Sequence, residues 1–146
     1  MRCRAFQRII IFTLLILLTG GIYTFSPGER QAVKRTQGFI DAVNENRPGD
    51  VYKYLTPELR NGISKEAFIE NFKKERSYPY LTPLYFYLDE VKLSPDGKGG
   101  EAIVTVAARL PGEKMHFNLT YHGGKYYVEA FKDIVDGTYI EKFSRL

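Results

Sequence analysis

The spacing of apolar residues divides the chain into three stretches. Ile9 to Phe25 has no polar face: "IIIFTLLILLTGGIYTF" is a run of 17 residues without charge or proline. Such a run is at the short end of the roughly 17–25 apolar residues that cross a bilayer core as a helix. From Glu29 to Asn46 the period becomes helical, with Val33, Thr36, Ile40 and Val43 at three- and four-residue steps and Ala32 and Phe39 beside them. Arg47-Pro48-Gly49 ends that helix. Asp50 is placed to cap a short helix over Val51 to Leu55, and Thr56-Pro57-Glu58 reads as a second cap with proline at the first helical position. Ser64 caps a third helix through about Arg76, with Ala67, Phe68 and Phe72 on one face and Lys65, Glu66 and Lys73 turned away.

After Pro83 the period falls to two. Four strands are expected, over Leu84 to Leu93, Ala102 to Leu110, Lys114 to Tyr121 and Lys125 to Phe131. The segments between them, Ser94 to Gly100, Pro111-Gly112 and His122-Gly123-Gly124, are rich in residues that tolerate tight backbone geometry. The third strand alternates most cleanly, with Met115, Phe117, Leu119 and Tyr121 opposed to His116, Asn118, Thr120 and His122. In the first, Tyr85, Tyr87, Asp89 and Val91 share one face, Phe86 and Leu88 the other. The pattern predicts an antiparallel meander with helices packed on one side, an α+β architecture. The tail "DIVDGTYIEKFSRL" reads as loosely helical, with an added edge element as the alternative.

Charge bears on the first stretch. The net charge is +4, but Arg2, Arg4 and Arg8 supply three of the 21 basic residues, and the remaining 18 face all 17 acidic ones, leaving +1 for the part that folds. Three arginines before an apolar run describe an N-terminal signal anchor or a cleaved signal peptide. The anchor is the stronger reading, because Thr19 and Gly21 make a poor cleavage site and Pro27 would follow a cut at Ser26. A buried core helix is a weaker alternative, since an all-round apolar helix flanked by arginines suits lipid better. Residues 1–25 are then a cytoplasmic stub and membrane segment, 26–31 a link, and 32–146 a domain outside the membrane. The single cysteine, Cys3, precedes the run and leaves that domain without disulfides.

Candidate chemistry is thin. His116 and His122, six residues apart, lack the further ligands a metal site needs and read as solvated, so neither a metal nor a cofactor is expected. No glycine-rich phosphate loop, His-Glu-x-x-His or Gly-x-Ser-x-Gly occurs. The aromatic stretch "YPYLTPLYFY", residues 78–87, suits a core strand better than a base-stacking platform, because a domain near +1 offers no basic groove; no nucleic-acid partner is expected. Asp41 and Asp89 read as acids on solvated faces.

The segment "FIDAVNENRPGDVYKYLTPELRNGISKEAFIENF" and the three-helix, four-strand order resemble the nuclear-transport-factor-2-like superfamily of cone-shaped α+β proteins over about residues 30–131, and small exported or membrane-anchored bacterial members above all. The resemblance implies three helices on a curved antiparallel sheet, with a pocket opening between the layers. Tyr54, Phe72, Tyr87, Phe117 and Tyr126 are the candidate ligand-binding residues of that pocket. Isomerase-like and dehydratase-like enzymes belong to the superfamily, but Phe39 stands where the isomerases carry a proton-donating tyrosine, and no catalytic residue is assigned. The expected function is a membrane-tethered binding or interaction module for a protein partner or a second copy, with binding of a small apolar ligand, or an enzyme of the isomerase or dehydratase type, as the alternative.

Overall fold

The structure is a computed structural model that describes residues 27–78, 85–107 and 113–145. Ile9–Phe25 and Tyr80 to Leu84 lie outside the described residues. No helix among those described is long and apolar enough to cross a membrane.

Helix α1 (Pro27–Asn44) buries Ala32, Thr36, Phe39, Ile40 and Val43 along one stripe, as its spacing predicts. It ends in a Schellman motif: the Arg47 N–H donates to the Ala42 carbonyl and the Asn46 N–H to that of Val43, with Asn46 in the left-handed region at φ 53°. Asparagine tolerates that conformation better than most residues with a Cβ. Helix α2 (Pro48–Tyr54) starts earlier than Asp50 suggests, because Pro48 has no N–H to satisfy and its φ is already helical. Asp50 is therefore not the cap but a first-turn acid, paired with Arg47 and with Lys53 Nζ at 2.6 Å. Helix α3 (Pro57–Asn61) and helix α4 (Lys65–Arg76) carry the caps expected of them, with Thr56 Oγ1 accepting from the Leu59 N–H and Ser64 Oγ from the Ala67 N–H.

Strands β1 (Tyr85–Leu93), β2 (Gly99–Ala107), β3 (Glu113–His122) and β4 (Lys125–Glu129) form one antiparallel meander in the order β1-β2-β3-β4. The first strand departs from strict alternation. Leu88 faces Val104 and Glu90 faces Ile103, so Asp89 is an extra residue in a β-bulge. The slip moves Val91 from the face of Tyr85 and Tyr87 to that of Phe86, where it is buried. Helix α1 lies across the inner face and touches both edge strands, while α2 packs between α1 and α4. The chain closes with α5 (Lys132–Asp136) and a 3-10 helix (Thr138–Arg145), tied to α4 through Asn71, which donates to the Ile134 carbonyl and accepts from the Tyr139 hydroxyl.

Between the layers runs a continuous series of rings: Phe86, Phe117, Phe39, Phe131, Phe72, Phe68 and Tyr52, neighbours having centroids 5.2–6.0 Å apart. Most contacts are edge-on or tilted, the arrangement that ring quadrupoles favour. Phe131 holds a left-handed backbone (φ 56°) to enter this series, a strain of about 1–3 kcal/mol offset by the packing of its partly buried ring on Phe39 and Phe72.

Candidate functional site

The outward side of α1 carries a cleft of about 560 Å³. Its polar lining is Arg30, Lys34, Gln37 and Asp41; Val33, Gly38 and Tyr54 complete it. Gly38 makes this geometry possible, since a Cβ there would lie 2.5 Å from the Tyr54 hydroxyl. The Tyr54 ring can therefore lie against the helix, edge-on to Phe39 at 6.5 Å between centroids.

Arg35 fixes the other face of that ring. Its guanidinium carbon sits 4.5 Å from the Tyr54 centroid and 5.4 Å from that of Tyr127, while Nε donates to the Tyr126 carbonyl at 3.0 Å. Arg60 approaches Tyr127 as well, at 5.1 Å, with its Nε buried and lacking an acceptor. Each such cation–ring contact is worth about 0.5–1 kcal/mol when exposed and nearer 2 when desolvated. One arginine thus joins α1, the end of α2 and the edge strand β4, and holds the cleft's aromatic wall in place. Neither Arg35 nor Tyr127 stands out in sequence; the one available signal is that Arg35 lies three residues after Ala32 and four before Phe39, on the flank of the buried stripe.

The five residues expected to bind a ligand do not line one cavity. Tyr54, half-buried, lines the cleft. Phe72 and Phe117 are buried members of the ring series. Tyr126 is buried, its hydroxyl donating to the Gly97 carbonyl at 2.8 Å, and loss of solvation raises its pKa above the usual tyrosine value, with lesser contributions from Tyr121 and Asp96. Tyr87 stands on the outer face of the sheet, 59% exposed, beside Tyr85 at 51%.

The acids considered from sequence are engaged at the surface. Asp41 accepts from Gln37 Nε2 at 2.8 Å, and Asp89 accepts from Thr105 Oγ1 at 2.7 Å with Lys114 Nζ 3.5 Å away. His116 Nδ1 lies 2.8 Å from Glu101 Oε1 on the outer face of the sheet. Among the described residues no group of three or more His, Cys, Asp or Glu is placed to hold a metal ion. A second hollow of about 350 Å³, between α3, α5 and strands β3 and β4, is lined by Glu58, Glu129 and Asp136 against Lys132, with Leu59 and Val135. The α1 cleft offers apolar surface next to two cations, Arg30 and Lys34, and the Asp41 carboxylate.

Compared with known proteins, the chain matches no family model and no curated sequence.

Proposed function

We propose that this chain is a binding module tethered to the outer face of a membrane by Ile9–Phe25, and that the cleft along α1 takes an amphiphile with an anionic head. The folded part is then a small relative of the nuclear-transport-factor-2-like cones, bacterial and extracytoplasmic, as its helix order and the Thr-Pro-Glu-Leu segment suggest. The observation that carries the reading is the pairing of an apolar wall, Val33, Gly38 and Tyr54, with Arg30 and Lys34 in a cleft whose volume lies within the roughly 300–1,000 Å³ common for small-molecule sites. Rings already occupy the space between helices and sheet, which favours a site on the helix face over an interior pocket. Phe39, buried against Phe117, Phe131 and Tyr54 and with no proton to donate, supports binding over isomerase chemistry.

The head of the ligand meets Arg30 and Lys34, and its chain lies along Val33 and the Tyr54 ring. Arg35 and Tyr127 keep that ring in place before the ligand arrives, so little ordering cost remains. Displacement of a fluorescent fatty acid from the full chain in nanodiscs tests this. Val33→Glu, which sets an acid against both the head group and the chain, is expected to weaken binding at least about tenfold, the equivalent of 1.4 kcal/mol. Equal affinity of Val33→Glu and wild type refutes the cleft as the site.

A further inference from the structure

We infer that the β1–β2 and β3–β4 hairpin tips form a surface that rests on the head groups of an anionic bilayer. The inference rests on the reading that Ile9–Phe25 is a membrane anchor.

The first support is the length of chain between that run and the fold. Helix α1 begins at Pro27, so two residue steps separate Phe25 from the folded domain, a reach of at most about 7 Å. A tether this short cannot let the domain stand off from the bilayer. Whichever part of the fold surrounds the first turns of α1 is therefore held at the lipid surface.

The second support is what surrounds those turns. Gln31 Nε2 donates to the Gly124 carbonyl at 2.9 Å, at the tip of the β3–β4 hairpin. Gly28 packs so that a Cβ would lie 3.3 Å from the Tyr126 hydroxyl, and that hydroxyl donates to Gly97 in the β1–β2 turn. The Tyr121 N–H donates to the Lys98 carbonyl at 2.9 Å, joining the two tips to each other. Both hairpins thus end beside the start of α1, and the other end of β3 is about 30 Å away, nine residue steps at roughly 3.4 Å each.

The third support is chemistry. Lys98 and Lys125 lie at the two tips and Arg30 on the helix beside them, all exposed, with exposed His122 paired opposite Lys125. Two acids share this surface, Asp96, which accepts from Ser94 Oγ at 2.6 Å and from the Lys98 N–H at 3.0 Å, and Glu29 in the first turn of α1, so the three cations exceed them by one. Tyr121, 42% exposed, adds an aromatic ring with a polar end, a side chain suited to the head-group layer. Cations held within a Debye length, about 8–10 Å, of an anionic surface are attracted to it. The result is a domain with a fixed orientation, in which the Arg30 end of the α1 cleft opens beside the lipid.

The test uses the full chain in nanodiscs containing head-group-labelled nitroxide lipid, on a Cys3→Ser background, with a fluorophore on Pro95→Cys, His122→Cys or Glu113→Cys. The expected result is at least threefold stronger quenching at 95 and 122 than at 113. The contrast should shrink when Lys98→Glu and Lys125→Glu are added together, and should grow as phosphatidylglycerol replaces phosphatidylcholine. Chain that remains with the disc through alkaline carbonate but shows equal quenching at all three positions overturns the orientation and leaves the anchor standing. Chain that separates from the disc overturns both.

Discussion

The side-chain amide of Asn44 bonds both backbone groups of Phe86: Nδ2 donates to the carbonyl at 2.9 Å, and the Phe86 N–H donates to Oδ1 at 2.8 Å. One side chain near the end of α1 thus acts as a short surrogate strand for the open edge of β1. It also fixes the helix against the sheet at the end remote from the hairpin tips. Asn44→Leu removes both bonds, and the expected loss is about 1–3 kcal/mol. Urea unfolding of the full chain in detergent reads it, and a change under about 0.5 kcal/mol, the range of an ordinary surface substitution, counts against the edge-capping role.

Gly38 and Tyr54 are expected to behave as a coupled pair. Gly38→Ala gains helix propensity, about 1 kcal/mol, but drives a methyl into the Tyr54 hydroxyl, and overpacking commonly costs about 1–3 kcal/mol. Tyr54→Phe alone is expected to be near neutral, and it removes the clashing atom. The double variant should therefore be more stable than the two single effects added together, by at least about 0.5 kcal/mol in a double-mutant cycle. Simple additivity contradicts the close approach that shapes the cleft.

The ring series makes a sharper contrast. Phe39→Ala removes a fully buried ring that meets Phe117, Phe131 and Tyr54, and the expected cost is about 3–5 kcal/mol. Tyr87→Ser, on the outer sheet face, is expected to fall within about 0.5 kcal/mol of wild type. Comparable losses in the two variants contradict the assignment of inner and outer faces.

Lys142 gives an alkaline signature. Its Nζ lies 2.5 Å from Glu75 Oε1 and also meets Asp133. Partial burial opposes the charge, but the bonds to Asp133 and Glu75 outweigh it and raise the pKa above the ordinary 10.5. A raised folded-state pKa stabilises the fold fully below the unfolded value and loses that stabilisation as pH climbs through the folded one. The stability difference between wild type and Lys142→Met should therefore be constant from neutral pH to about 10 and shrink above 10.5. A difference that stays flat through pH 11.5 contradicts the bridge.

Much of the fold is legible in the sequence because its signals are local. The stripe through Thr36, Ile40 and Val43, the Ser64 and Thr56 caps, and the alternation Met115, Phe117, Leu119 each depend on neighbours within a few residues. The bulge at Asp89 does not: nothing local says that Val91 changes face, because the extra residue is defined by the pairing of Leu88 with Val104 and of Glu90 with Ile103 on another strand. The start of α2 is misjudged for a related reason, Pro48 and Asp50 both being plausible first-turn residues. The cleft is the least legible part. It depends on Arg35, Tyr54 and Tyr127, brought together over 92 residues of chain by packing, and none of them belongs to a motif. Tyr87 illustrates the converse, since an aromatic in a strand pattern is equally compatible with the inner face and the outer.

The most direct measurement is a titration of ¹⁵N-labelled full chain in nanodiscs with dodecyl phosphate, followed by amide chemical shifts. Shifts that saturate and centre on Val33 to Asp41 and on Tyr54, with the core strands unmoved, are the result expected of an amphiphile site along α1. Saturating shifts confined to the sheet, or none at all at ligand concentrations up to its micellar limit, contradict it.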